Sequence, residues 1–185
     1  NVEQAESEPE KAFLINAEAV KNLANACKKH QIKIIHISTD YVFDGEKESP
    51  YTERDRVNPI NVYGASKLKG EQYIQEILET YYIVRTSWLY SQYGHNFFKT
   101  ILQKNQEGIL HIIKSNNNNY GVYHFSNLKE ATWYDFAKKI IDLSPQSQVV
   151  LNASNSYKTK AKRPLNSCLD KTKVISTFEI SILPW

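Results

Sequence analysis

The chain has no methionine and only six glycines in 185 residues. The glycines stand at 45, 64, 70, 94, 108 and 121, and none falls into a GxGxxG or GxxGxxG array. The loop that lets a pyrophosphate approach the backbone in dinucleotide-binding folds is therefore not written in these residues. Cysteine is nearly as scarce. Cys27 and Cys168 form no CxxC pair, and no HExxH or paired-cysteine pattern occurs, so neither a disulfide framework nor a metal site is expected. The cytoplasm is the compartment this implies. No apolar run nears the roughly 20 residues of a membrane helix, and no basic-then-apolar leader opens the chain. A net charge of +3 is too small to argue for a nucleic-acid partner. With no initiator methionine and a start in mid-polar text, Asn1 is not expected to open a complete translation product.

What is present is an ordinary globular composition, 41% hydrophobic and 23% charged, long enough for one or two small domains. Residues 9–30 are expected as a helix: Pro9 suits a first turn, and Phe13, Ala17, Val20, Leu23, Ala24 and Cys27 recur at helical spacing. Residues 32–38 form an isoleucine-rich run, as a buried parallel strand should, and His36 within it is read as a satisfied core histidine. Residues 39–60 are a long polar connection with a turn at Asp44-Gly45. A helix over 63–78, a strand over 81–86 and a helix over 96–107 complete the alternation. This order predicts the later half of a doubly wound α/β sheet.

Beyond Gly108 the pattern changes. A strand over 120–125, a helix from Thr132 through Ile141 with Trp133, Phe136, Ala137 and Ile140 inward, and a short helix near 170–178 are expected. The chain thus divides into a Rossmann-type part, 1–108, and a smaller C-terminal α/β part, 109–185. Lys158, Lys160, Lys162, Arg163, Lys171 and Lys173 crowd the last thirty residues, as a solvated face or as a site for a diphosphate.

The chemistry gathers between His36 and Glu71. The strand ends on Ser38, Thr39 and Asp40, and ligands bind at the carboxyl ends of strands in open parallel sheets. Tyr63 and Lys67 stand four apart, which places phenol and ammonium one turn apart on one helix face. From spacing alone the plainer reading, an exposed tyrosine beside a surface lysine, is favoured.

A strand-end hydroxyl followed by Tyr-x-x-x-Lys resembles the extended short-chain dehydrogenase/reductase superfamily. The strings STDYVFDG, NVYGASKLKGEQ, RTSWLY, NFFKTIL, WYDFAKKI and RPLNSCLD, in this order, resemble the dTDP-4-dehydrorhamnose reductase family over nearly the whole chain. The resemblance implies a Rossmann-type fold, NADPH or NADH as cofactor, and reduction of dTDP-4-dehydro-L-rhamnose to dTDP-L-rhamnose. Its partner would be a small nucleotide sugar, with no nucleic acid and no membrane; a homodimer is compatible with it.

In this reading Tyr63 is the proton donor, and Lys67 lowers the phenol's pKa and holds the nicotinamide ribose. Thr39 donates to the carbonyl oxygen of the substrate. Trp88 stacks on the substrate and Asp40 meets it, against the bland reading of Trp88 as core. Arg163 pairs with the diphosphate, or is a surface arginine. Tyr41, Val42 and Phe43 either plug the core or flank the sugar ring. Asn16 lies beside the nucleotide site, or on the surface. Two further readings remain: a non-catalytic regulatory or interaction subunit on the reductase fold, and a related sugar-nucleotide epimerase.

The chain departs from the family twice. The glycine fingerprint, which the family carries at its amino end, lies before the matching text begins. Between Gly108 and Ile109 the family has a strand, a Gly-x-Pro-Thr substrate loop and the start of a helix. Here Ile109, Leu110, Ile112 and Ile113 follow at once with helix spacing. A segment of roughly 20 residues is expected at this join, of the kind a substrate loop occupies.

Overall fold

Three parallel strands carry the structure, a computed structural model that describes residues 1–87, 112, 114, 115, 117–142, 150–152, 159–182 and 184. Strands β1 (Ile34–Thr39), β2 (Tyr81–Thr86) and β3 (Gly121–His124) lie side by side in that order. The register pairs Ile37 with Val84, Ser38 with Arg85, and Thr39 with Thr86, so two threonines end adjacent strands at the same rim. β3 pairs with β2, with Val122 opposite Ile83. The text after Gly108 therefore extends the first sheet rather than standing apart from it. β2 pairs with β1 along one edge and with β3 along the other.

The amino-terminal helix is longer and more broken than its periodicity predicts. Helix α1 (Val2–Ser7) starts at Asn1, whose side chain accepts from the N–H groups of Glu3 and Gln4. It breaks at Glu8, held at φ −130° and ψ 59°, because a residue before proline is pushed out of helical conformation. Helix α2 (Pro9–Phe13) then runs through a π-helical turn (Leu14–Glu18) into α3 (Ala19–His30). The wide turn rotates what precedes it. Ala17, Val20 and Ala24 are buried as expected, but Phe13 and Leu23, read as inward, are exposed, together with Leu14 and Ile15.

Helix α4 (Val62–Ile77) packs against α3 and the π turn. Its contact is close: a Cβ on Gly70 would stand 2.2 Å from the Asn16 carbonyl oxygen, so only glycine fits. One face of the sheet meets these helices through Ile83, Val20, Ala24, Ile74 and Leu78. The other face buries Tyr82, Val84, Tyr123 and Phe125 against Ile112 and helix α6 (Thr172–Phe178). Adjacent residues of β2 thus enter opposite layers, as the pleat requires. Each such side chain contributes about 1.5–3 kcal/mol by leaving water.

Helix α5 (Trp133–Asp142) begins where Thr132 was expected to cap it. The Thr132 hydroxyl accepts from Asp135 N and donates to the Asp135 carboxylate at 2.6 Å, a reciprocal cap. Trp133 does not point inward, however; it is 65% exposed at the mouth of the cleft described below. The expected helix over 96–107, the RTSW tryptophan Trp88 and the join at Gly108–Ile109 lie outside the described residues.

Candidate active site

β1 ends because Thr39 stops it. Its side-chain oxygen accepts from Tyr41 N at 3.2 Å, and Asp40–Val42 turn into a single 3₁₀ turn. The long connection that follows divides by residue. Val42 and Phe43 are fully buried, Phe43 stacked on Tyr51 at 4.2 Å between ring centres, so these two are the plug. Tyr41 turns the other way, lines the cleft, and meets the Tyr63 ring edge-on at 6.2 Å. The plug reading holds for Val42 and Phe43, whereas Tyr41 lines the cleft.

Tyr63 stands in the first turn of α4, and three contacts fix that helix end. Asn61 caps it, accepting from Gly64 N at 2.7 Å. Glu6 of α1 accepts from Val62 N at 2.7 Å, and Asn61 Nδ2 donates to the Lys162 carbonyl at 2.8 Å. Gly64 lets the turn press on the strand end, since a Cβ there would lie 2.1 Å from the Tyr41 carbonyl oxygen. The start of α4 is therefore pinned by α1, by the segment after Tyr41 and by the chain near Lys162.

The result is a cleft of about 570 Å³ lined by Thr39, Asp40, Tyr41, Tyr63, Lys67 and Thr86, with Trp133 and Phe136 of α5 at its edge. Thr39, Asp40, Tyr63 and Lys67, drawn from two stretches of sequence, thus meet in one place. Its electrostatics differ from expectation at one point. The Tyr63 phenol is pushed above its ordinary range, by burial first and by the Asp40 charge second, with a hydrogen-bonding contact to Thr39 working against the shift. The expected lowering by Lys67 is not seen. Lys67 Nζ instead donates to the Ile37 carbonyl at 2.6 Å and lies 3.4 Å from His36 Nε2. Burial holds its own pKa down, and the Glu71 carboxylate one turn on works against that.

Asp40 is buried, and its carboxyl is pushed up to about 6. Burial is the cause, opposed by hydrogen bonds from Ser167 and Thr39. Ser167, in the RPLNS string, was not singled out from sequence; only its nearness to Arg163 hinted at it. Arg163 itself lies outside the cleft lining. Its guanidinium pairs with Glu3 at 2.6 Å, donates to the Ala161 carbonyl and contacts Tyr41, tying the chain around 160 to α1. Asn16, left open as a surface residue, is half-buried at the π turn and donates to Ser66 Oγ on α4 at 3.0 Å.

Residues 1–113 and 106–185 each match the family described as RmlD substrate binding domain. The dTDP-4-dehydrorhamnose reductase of Aggregatibacter actinomycetemcomitans is 37% identical, covering all of this chain and 74% of the relative. The chain belongs to the dTDP-4-dehydrorhamnose reductase family. The Escherichia coli K12 reductase is 36% identical over the whole chain and 72% of its own length. The crystal structure of the Bacillus anthracis dTDP-4-dehydrorhamnose reductase, solved in complex with NADP, superposes with a TM-score of 0.87 at 35% identity, over 100% of this chain and 73% of that one. The Aggregatibacter alignment spans 218 positions, 33 more than the 185 residues here. The two family matches meet over 106–113, which includes the Gly108–Ile109 join.

A nicotinamide cofactor fits the residues present. The cleft offers an ammonium, a phenol and two threonine hydroxyls at the strand rim, and it is wide enough for a ring and a sugar side by side. Tyr63 and Lys67 are the side chains that would hold the nicotinamide half. Bound there, the cofactor supplies hydride; the protein supplies position and protons.

Proposed function

We propose that this protein reduces dTDP-4-dehydro-L-rhamnose to dTDP-L-rhamnose with NADPH or NADH, using Tyr63, Lys67 and Thr39 as its catalytic residues. The observation that carries the assignment of roles is the convergence of the Thr39 hydroxyl and the Tyr63 phenol on one side of a cleft whose wall holds the Lys67 ammonium. Tyr63 keeps its proton at neutral pH, because burial and Asp40 raise its pKa, and it is the acid that protonates the developing alkoxide. Thr39 orients the carbonyl oxygen. The Lys67 ammonium, fixed to β1, binds the cofactor ribose and adds a positive charge where negative charge develops.

Substrate contacts complete the proposal. Asp40 and Trp88 meet the sugar, Tyr41 and Trp133 flank it, and Ser167 holds Asp40. Arg163 serves this reading as the tie between the 159–170 segment, α1 and Tyr41, which keeps Tyr41 in the cleft wall. The division into a cofactor part (1–108) and a substrate part (109–185) is kept, with β3 of the second part pairing onto the sheet of the first. A cytoplasmic site and a homodimer belong to the same reading, the first favoured by two unpaired cysteines and the second by exposed Leu14, Ile15 and Leu23.

Incubation of the protein with dTDP-4-dehydro-L-rhamnose and either reduced nicotinamide tests the proposal. Chromatography of the products should show dTDP-L-rhamnose. Turnover with neither cofactor would overturn it.

A further inference from the structure

Lys67 is held by two consecutive residues of β1. Its Nζ donates to the Ile37 carbonyl at 2.6 Å and stands 3.4 Å from the imidazole Nε2 of His36. An ammonium has three N–H groups and no acceptor capacity. Two of them are engaged with the strand, and the third is left for the cleft that Lys67 lines.

His36 is an odd residue for its place. It sits in a strand of isoleucines, opposite Ile83, on the sheet face that packs Ile34 and Ile83 against α3 and α4. An aliphatic residue there would bury more cheaply and suit its neighbours. We propose that His36 is a positioning residue for Lys67, its neutral imidazole accepting from the ammonium so that the lysine is fixed against β1 with one N–H directed to the cofactor sugar.

Neutrality is what lets the ring accept, and the surroundings enforce it. Burial, and then the Lys67 charge, hold the imidazole down to about 4. From α4 the other group acting on Lys67 is Glu71, which is tied to Arg85 of β2 and favours the charged lysine. The ammonium is therefore kept charged from the helix side and aimed from the strand side. This rests on the reductase reading above for what Lys67 then binds, but the pairing itself does not depend on it.

Two arms test the inference. Kinetics with NADPH and dTDP-4-dehydro-L-rhamnose compare wild type, His36→Leu, which removes the acceptor, and His36→Gln, which keeps one. His36→Leu should lose about three- to tenfold in kcat/KM and NADPH affinity, the scale of one hydrogen bond, and His36→Gln should recover most of it. In a Lys67→Met background, His36→Leu should cost nothing further, because the interaction it removes is already gone.

The second arm follows Lys67 by NMR with lysine labelled at Cε, without ligand. A lost acceptor disfavours the charged form, so the midpoint should fall in His36→Leu and return in His36→Gln. Should His36→Leu not fold, His36→Phe takes its place. An unchanged midpoint, an equal loss in the Lys67→Met background, or a Gln variant no better than Leu would overturn the pairing. The NMR arm needs no reductase activity, so an inactive wild type would count against the functional reading and leave this inference to the titration.

Discussion

Arg85 of β2 donates to the Glu71 carboxylate of α4 through Nη2 at 2.6 Å and through Nε at 3.0 Å, with both side chains nearly closed off from water. Glu71 follows Lys67 by one helical turn, and Arg85 is the residue before Thr86 at the cleft rim. The pair therefore locks the register of the helix that carries Tyr63 and Lys67 to the strand that carries Thr86. Arg85 also lies over the Phe43 ring at 5.3 Å, which brings the plug of the long connection into the same joint.

Breaking this pair from one side leaves a buried charge alone. Glu71→Ala should cost about 3–5 kcal/mol, while Glu71→Leu combined with Arg85→Met should cost far less, because no charge is then left stranded. Urea denaturation of the three proteins checks the order. A mild Glu71→Ala would mean that water reaches the site.

The π turn and α4 meet at Gly70. Adding a methyl group there drives it against the Asn16 carbonyl, backbone that cannot swing aside. Gly70→Ala should destabilise the protein by roughly 1–3 kcal/mol, the scale of overpacking. A melting temperature equal to wild type would show that the two helices are free to separate.

Asp40 raises the Tyr63 pKa, so removing its charge should lower it. If the protonated phenol is the acid, activity falls as pH rises through that pKa. The basic limb of kcat/KM should then move to lower pH in Asp40→Asn. In Lys67→Met the same limb should stay nearly fixed while NADPH affinity drops, because the ammonium is bound to β1 rather than to the phenol. A pH–rate series on the two variants separates these roles; a shift in Lys67→Met alone would restore the lysine as the tuner of the phenol.

Asp40 also links stability to pH. Its folded pKa of about 6 lies above the unfolded value near 4. The folded state binds this proton more tightly, so the contribution is fully present below about pH 4 and is lost as pH rises through 6. Asp40→Asn should remove that slope from a stability–pH curve measured over this window.

Much of this was legible in sequence because it follows from local rules. The isoleucines of β1 and the Thr132 cap of α5 are short-range patterns, and each lies where chain chemistry puts it; the Asn61 cap before Tyr63 is equally local but was not singled out. Helix α1 had its signals too, Asn1 as a cap and Pro9 as a break, but no apolar stripe long enough to announce it. What sequence could not give was tertiary. The π turn at Leu14–Glu18 turns Phe13 outward, and only the fit against Gly70 reveals it. The chemistry of Arg163 suits a diphosphate or a surface position, and no local pattern announces that Glu3, 160 residues away, pairs with it. The aim of Lys67 depends on a strand carbonyl that no spacing rule names.

The most direct test is turnover of Tyr63→Phe beside wild type, followed as loss of reduced nicotinamide with dTDP-4-dehydro-L-rhamnose. Wild type should consume cofactor and form dTDP-L-rhamnose, and Tyr63→Phe should turn over about 10²- to 10⁴-fold more slowly, the range for loss of a general acid. KM for the nucleotide sugar should change little, since the ring against Tyr41 remains. A Tyr63→Phe variant as fast as wild type would contradict the assignment of Tyr63 as the proton donor.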